Sequence, residues 1–508
     1  MSRSFPKSRT KVSLRGLLSK AVFVGAEDIV VRRCVGKAID CRPGDVFVPQ
    51  PGGSQDQHDC APEAVRRGAA AIVAERLLPV SIPQCLVADN RIAYAQISQA
   101  IVEHPSNRML ALAVVGTQGK TTTSLFLSSM LRRIGGQVAY YTSLGSSDSK
   151  SCNRENIRPP SAKKLAQWMR RADKAISPSM VLEIAQPMLL NHVATSVEFD
   201  LMVLTGLRPS QDCGGLSLSR YRTMLDGFAE QMKPHGMLLF NADDPFASRW
   251  AAASKLTAIG YGLDTSYDIR AKRLSRCGGQ QQLMVTAGNM LMPLTLNIPG
   301  DHVARAALAA IGAGWMFDLP VPEAITGVEA LQSIPGRMQR IQQSVDVPVF
   351  VDQCRTPDRV ATALHALKQH DFGSCTAVVD VTRRLHPQHR ARLGEVLEKS
   401  AYKVVLSSSD TVPRQAQSMM MDVLGGCSCP GRVEVIPNRR RAIQWAIENT
   451  QSGCVLLAGC GTQTWRSHGE AVTDESVARR AISAKYTPSP LPALSIFPPP
   501  SSGAFFSH

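Results

Sequence analysis

Apolar positions along the chain fall in short runs separated by stretches with helical spacing. The runs "ALAVV" (111–115), "MVLEIA" (180–185), "DLMVLTGL" (200–207) and "GMLLFNADDP" (236–245) predict strands buried on both faces. Between and after them, "SAKKLAQWMRRAD" (161–173) and "VARAALAAIGAGWM" (303–316) carry the helical period, and a further helix is expected from Lys120 to Ile134. The same alternation returns later. "VFVDQC" (349–354), "CTAVVDV" (375–381), "YKVVLSSSD" (402–410), "RVEVIP" (432–437) and "CVLLAGC" (454–460) read as strands. "PDRVATALHALKQ" (357–369) and "NRRRAIQWAIEN" (438–449) read as the helices between them. Near the start, "LRGLLSK" (14–20) reads as a helix and "GDVFVPQ" (44–50) as a strand; "CAPEAVRRGAAAIVAE" (60–75) is a helix stopped at Gly68 and followed by a strand. No internal repeat is visible.

This alternation predicts an α/β chain of three domains. A small N-terminal mixed α/β domain spans 13–105, a central, mostly parallel sheet 106–332, and a C-terminal doubly wound, Rossmann-like domain 333–485. "HPSNRM" (104–109) and "IPGRMQRI" (334–341) read as the linkers. Residues 1–12 form a basic tail, and the Pro/Ser-rich end, 486–508, reads as a disordered extension.

Composition narrows the function classes. The 508 residues are 44% hydrophobic and 19% charged, which describes a globular chain. No apolar run approaches the roughly 18 residues of a membrane span, so no membrane insertion is expected. Thirteen scattered cysteines without paired metal-ligand spacing fit a reduced, cytoplasmic protein and argue against zinc. The net charge of +16 fits either nucleic acid or small anionic substrates. Lys and Arg are spread along the chain and aromatics are only 5%, which favours small substrates and no nucleic acid. The first 25 residues contain no acid. They suit an organelle transit peptide or a plain basic tail, and the tail is the preferred reading.

The chemistry concentrates at one turn. Strand "ALAVV" is followed by Gly116-Thr117-Gln118-Gly119-Lys120-Thr121-Thr122-Thr123 and then a helix. Glycines let backbone N–H groups turn toward an anion, and the helix N-terminus adds partial positive charge. Lys120 is placed to reach outer phosphates, and the Thr121 or Thr122 hydroxyl to ligate Mg²⁺. The central domain is therefore expected to be of the P-loop ATPase type. Glu183, a lone acid ending an apolar run, is the candidate carboxylate for the metal.

The short form Gly-Thr-x-Gly-Lys-Thr-Thr resembles the Mur ligase family, and the likeness extends over roughly 13–480 in the right order. "RPGDVFVPQPGGSQDQHDCAPEAVRRGAAAIVAE" (42–75) is similar to the UDP-binding domain of the branch, MurE, that adds diaminopimelate or lysine. "FNADDP" (240–245) resembles the family's Asn-x-Asp-Asp, "IPGRMQRI" its Gly-Arg-Met hinge, and "VDQCRTPDRV" (351–360) the opening of its last domain. The resemblance implies ATP and Mg²⁺ as cofactors. It implies a nucleotide site of Gly116, Thr117, Gln118, Gly119, Lys120, Thr121, Thr122, Asn241, Arg337 and Asp352. Lys120 and Glu183 carry the chemistry, and Thr121 and Glu183 hold the metal. The implied reaction is amide-bond formation through an acyl phosphate, joining an amino acid to a UDP-linked peptide precursor for peptidoglycan, in a monomeric protein.

Several positions depart from the family pattern. Lys37-Ala38-Ile39 stands at the uridine-side Asp-Ser-Arg, and Ala185-Gln186-Pro187 follows Glu183 where a metal histidine is expected. "TGLRPSQDCGG" (205–215) replaces a longer polar motif. Leu225 occupies the place of a carbamylated metal lysine, and Val303 and Ala306 those of adenine-side asparagines. Thr411-Val412-Pro413-Arg414 replaces the amino-acid-specifying motif, and "GCGTQ" (459–463) the Gly-Lys-Gly-His-Glu. Arg208, His302 and Arg355 are candidate replacement cations, and the basic stretch "DVTRRLHPQHRARLGE" (380–395) faces a phosphate or is a solvated helix entry. The alternative function is thus a catalytically impaired relative that binds nucleotide and serves as a scaffold or regulator.

Overall fold

The computed structural model describes residues 11–50, 56–153, 158–207, 217–263, 266–341, 347–383, 385–410, 413–467 and 469–486. Most of both expected tails, Arg208 and the Thr411-Val412 pair lie outside these residues. The chain divides into two compact units: Met1–Arg337 with His365–Asp371, and Met338–Leu364 with Phe372–His508. The change of unit falls inside the expected hinge "IPGRMQRI", where Gly336 (φ 62°) and Met338 (φ 45°) both take the left-handed conformation.

The first unit holds two large sheets. Near the N-terminus, five short strands lie in the spatial order Val22–Val24, Gln84–Leu86, Ala71–Ala74, Val46–Phe47, Cys34–Val35. All but the first pairing are parallel. Gly68 ends the preceding helix at φ 88°, as expected of a helix stop. The expected linker "HPSNRM" is instead partly folded, with a 3₁₀ turn over Pro105–Arg108. Proline at the first position of a helical turn forfeits no hydrogen bond, which explains that start.

The central sheet has eleven strands among the described residues. Seven consecutive neighbours are parallel: Val138–Thr142, Ser179–Glu183, Leu110–Val115, Phe199–Leu204, Met232–Asn241, Thr257–Leu263 and Ile269–Cys277. Leu110–Val115 lies near the middle, and Ala111 through Val115 are fully buried, so its continuous apolar run reflects burial on both faces. Antiparallel strands close both ends. Gln280–Ala287 and Met290–Leu296 extend one side beyond what the apolar runs predict. Helix Lys120–Gly135 buries Phe126, Leu127, Met130 and Leu131. Each such side chain contributes about 1.5–3 kcal/mol on burial, which fixes the helix behind the turn that precedes it.

The second unit is a six-stranded sheet in the order Gln339–Arg340, Val349–Asp352, Cys454–Ala458, Cys375–Asp380, Lys403–Ser408, Val433–Asn438. Only the first strand is antiparallel. This is the doubly wound arrangement the sequence predicts, and in such sheets ligands lie at the carboxyl ends of the strands.

Candidate functional site

The strand-to-helix turn closes against a second loop. Gly116 (φ 134°) and Gly119 (φ 80°) both adopt backbone conformations that side chains resist. A Cβ on Gly116 would collide with the Thr205 hydroxyl and approach the Gly206 carbonyl to 2.9 Å. The close approach is itself bonded: Thr117 N–H donates to the Gly206 carbonyl at 3.0 Å. The Thr205 hydroxyl donates to the carbonyls of Val115 (3.1 Å) and Gln118. Asn241, ending its strand, donates through Nδ2 to the Thr205 carbonyl at 3.1 Å. In this structure Asn241 braces the loop that braces the phosphate turn.

Lys120 and Thr121 open the helix. Lys120 Nζ donates to the Gly116 carbonyl at 2.7 Å, folding the ammonium over the turn. Thr121 Oγ1 donates to Glu183 Oε1 at 2.9 Å and lies 2.9 Å from the Ser143 hydroxyl. Ser143 N–H donates to Glu183 Oε2 at 2.8 Å. The strands ending at Thr142, Glu183 and Val115 are adjacent, which brings Thr121, Ser143 and Glu183 together at the carboxyl ends of these strands. Thr122 is buried in the same first turn.

This cluster suits one divalent cation. Mg²⁺ takes oxygen ligands and needs only one or two protein carboxylates, because waters and phosphate oxygens fill the remaining positions. Glu183 is 7% exposed, and among the described residues no cation is paired with it. A buried carboxylate without a cation partner, beside two hydroxyls, is the donor set that Mg²⁺ requires. Leu225, at the place the resemblance gives to a further metal ligand, is sealed in the central core and offers no donor atom. Among the described residues no group of three or more His, Cys, Asp or Glu is placed to hold a metal, at this cluster or elsewhere.

The other positions divide. Asp243 accepts from Leu263 N–H (2.9 Å) and pairs with Arg305 (2.6 Å), while Asp244 caps helix Pro245–Ala253 and accepts from Leu207 N–H at 3.2 Å. Val303 and Ala306 are buried along helix Asp301–Met316 and offer no polar group. Arg337, in the first unit, donates to the Gly336 carbonyl at 3.0 Å. Asp352, in the second, accepts from Met338 N–H at 2.7 Å and so holds the left-handed residue of the hinge. Its carboxylate has a structural partner, which the sequence does not reveal.

Within the second unit, a cleft of about 290 Å³ opens at the carboxyl ends of the strands. Arg355, Asp380, Ser409, Asp410, Cys460 and Trp465 are among its walls. Asp380 accepts from Ser409 N–H (2.7 Å), the Ser409 hydroxyl (2.9 Å) and the Cys460 thiol (3.1 Å). Burial pushes that thiol's pKa well up, so it serves as a neutral donor. Arg355 Nε donates to the Gly459 carbonyl at 2.9 Å, and Asp410 lies 3.7 Å from Arg383. Asp380 and Asp410 with Arg355 and Arg466 give the walls of this cleft both signs of charge. Sequence reasoning found Arg355, singled out the stretches that Thr205 and Asp380 open without giving either residue a role of its own, and missed Ser143 and Ser409. The visible signals were "TS" after "AYY" and a polar "SSSD" at a strand end.

Comparison with known proteins agrees with this architecture. Residues 114–314 match the Mur ligase middle domain, and 336–461 match the Mur ligase, glutamate ligase domain. UDP-N-acetylmuramoyl-L-alanyl-D-glutamate--2,6-diaminopimelate ligase of Geobacillus thermodenitrificans (strain NG80-2) is 26% identical, covering 87% of this chain and 92% of its own. The protein of that name from Thermosynechococcus vestitus is 27% identical, covering 87% and 91%. Among solved structures, a diaminopimelate ligase of this name superimposes with a TM-score of 0.68 at 20% identity, covering 94% of this chain and 100% of that one. MurF ligase from Thermotoga maritima in complex with ADP superimposes at 0.61 and 19% identity, covering 90% and 97%. The chain belongs to the Mur ligase family.

Proposed function

We propose that the chain is an ATP-dependent ligase of the MurE type, which joins diaminopimelate or lysine to a UDP-MurNAc-dipeptide in peptidoglycan precursor synthesis. The observation that carries this reading is the bonded cluster of Thr121, Ser143 and Glu183 beside a phosphate turn that Thr205 holds in shape. The names of the full-length relatives supply the substrate class. We read the protein as a cytoplasmic monomer; among the described residues no helix is long and apolar enough to cross a membrane.

In this reading backbone N–H groups of the turn 116–121, other than that of Thr117, and the Lys120 ammonium cradle the outer phosphates of ATP. Thr121 and Glu183, with Ser143 beside them, hold one Mg²⁺, which neutralises phosphate charge when bound. The acceptor carboxylate attacks the γ-phosphorus, the bond to the ADP oxygen breaks, and an acyl phosphate forms. The amine then attacks the acyl carbon, the bond to the phosphate oxygen breaks, and the amine's proton passes to solvent. Positioning and charge neutralisation supply the rate. The cleft of the second unit, lined by Asp380, Asp410 and Arg355, is the proposed subsite for the amino acid, whose ammonium and carboxylate need both charges.

A second reading, a nucleotide-binding relative without turnover, is favoured by the buried apolar side chains of Leu225, Val303 and Ala306. Purified protein with ATP, Mg²⁺, UDP-MurNAc-dipeptide and a panel of diaminopimelate, lysine and other amino acids separates the two. The ligase reading expects ADP and one amidated product. ADP no higher than in a Lys120→Ala control, with ATP still bound, leaves the second reading standing.

A further inference from the structure

Beneath the cleft of the second unit lies a charge pair that no solvent reaches. Arg439 and Asp474 are both fully buried, and their side chains meet in a fork: Nε to Oδ1 at 2.8 Å and a terminal nitrogen to Oδ2 at 2.5 Å. Two more guanidinium hydrogens are also used. One terminal nitrogen donates to the Ser407 hydroxyl at 2.9 Å, and the other to the Ala458 carbonyl at 3.1 Å. The Ser407 hydroxyl in turn donates to the Val379 carbonyl at 3.1 Å. Arg439 therefore ties together the carboxyl ends of three adjacent strands, Cys375–Asp380, Lys403–Ser408 and Cys454–Ala458. Those ends carry Asp380, Ser409 and Cys460, three walls of the cleft.

The pair also reaches a fourth wall. Asp474 begins helix Asp474–Tyr486, and its Oδ1 accepts from the Trp465 indole N–H at 3.2 Å. Trp465 sits on the short hairpin Trp465–Ser467 with Glu470–Val472, and lines the cleft. A two-stranded hairpin has little stability of its own, so a bond from its first residue into a buried anchor sets where the indole lies.

Burying two charges costs solvation that mutual attraction recovers only when every donor and acceptor is used. Such a pair adds little to stability compared with apolar residues of the same volume, and its best-attested use is to fix one arrangement out of several. Here every named partner of the pair is a strand end or a wall of one cleft.

We propose that Arg439 and Asp474 are positioning residues that set the shape of this cleft and hold Trp465 as its wall, so that they govern use of the amino acid and not of ATP. The assignment of the cleft to the amino acid rests on the ligase reading above; the placement of Trp465 does not. The test uses the full chain with Asp474→Asn, Arg439→Lys and Trp465→Phe. Asp474→Asn removes the charge but keeps an acceptor. Trp465→Phe leaves the ion pair intact and replaces the indole by a smaller ring without the N–H, so it carries the test if the buried variants fail to fold. The readouts are KM for the amine, KM for ATP, and the indole ¹H–¹⁵N resonance of Trp465, assigned by its loss in Trp465→Phe.

The expected result is a KM for the amine raised about tenfold or more in Asp474→Asn, with KM for ATP within about twofold of wild type and a shifted Trp465 resonance. Arg439→Lys, which keeps the charge but not the fork, falls between. Unchanged amine KM in both Asp474→Asn and Trp465→Phe overturns the proposal, as does an equal rise in the KM for ATP. If wild type makes no product with any amine, the ligase reading fails by itself. Amino-acid titrations of wild type, followed on the Trp465 resonance, then decide: a shift that is weakened in Asp474→Asn supports the proposal, and no shift with any amino acid overturns it.

Discussion

Two regions of the central domain tell opposite stories. On one, around the turn 116–121, every named group is polar, bonded and close to its neighbours: Thr121, Ser143 and Glu183 form one cluster, and Thr205 clamps the turn. On the other, helices Leu218–Ala229 and Asp301–Met316 present Leu225, Val303 and Ala306 to the core where the family pattern carries polar side chains. An apolar residue at such a place is not a silent loss. Leu225 packs within a cluster that includes Tyr221, Phe199 and Phe228, so that position has become part of what holds the domain together. Polar, mutually bonded groups thus gather on one region, while on the other these positions serve packing.

The comparison breaks most visibly at Lys120. Lys120→Ala is expected to lower product formation by about 10²–10³, the cost of removing one preorganised charge from a phosphoryl transfer site. A quenched-flow or coupled ADP assay checks it; retained turnover would mean that the turn does not hold the reacting phosphates. On the sealed region, Leu225→Lys places an ammonium in an apolar core. The expected loss is about 3 kcal/mol or more of stability, read as a lowered denaturation midpoint, with no gain in turnover. A variant as stable as wild type with faster ligation would show that position 225 still opens on the site.

The sequence makes the phosphate turn, Glu183 and the three blocks of strand and helix legible because each depends on spacing within a few residues. A glycine turn between an apolar strand and a helix carries its own meaning. Ser143 and Thr205 escape because their partners are far away in the chain: Ser143 meets Glu183 across 40 residues, and Thr205 meets Gln118 across 87. Nothing in "YYTSLG" or "VLTGL" announces those contacts. The strands from Ile269 to Leu296 escape for another reason. Ile269–Cys277 is basic and exposed along much of its length, so it shows no apolar run, although Gly278-Gly279 at its end is the signal of a tight hairpin. Asp352 carries a bond that its place after "VFV" does not reveal: in the structure its carboxylate accepts from the Met338 amide.

A smaller effect sharpens the polar region. Gly116→Ala adds one methyl group where the Gly206 carbonyl would lie 2.9 Å away, at a φ of 134° that alanine resists. The turn must then open away from Thr205. ATP affinity is expected to fall about a hundredfold, or ~2.7 kcal/mol, measured by calorimetry, with the denaturation midpoint changing much less. Unaltered affinity would show that the clamp between the two loops is not what shapes the phosphate cradle.

Ser143→Ala gives the smallest change and the most specific one. Its backbone N–H to Glu183 survives the substitution, so the carboxylate keeps both of its anchors, that N–H and the Thr121 hydroxyl. What disappears is the hydroxyl 2.9 Å from Thr121 Oγ1. If Ser143 only supports the turn, ATP binding weakens to the same degree with and without Mg²⁺. If it orients Thr121 and Glu183 toward a cation, the loss is confined to the metal-loaded nucleotide. The second outcome is expected. Half-saturation by Mg²⁺ rises about tenfold, ~1.4 kcal/mol, the worth of one hydrogen bond, while ATP affinity in EDTA stays within about twofold. Equal losses in the two titrations would move Ser143 from the metal's surroundings to the scaffold, and would leave Thr121 and Glu183, among the described residues, to argue alone for a cation at these strand ends.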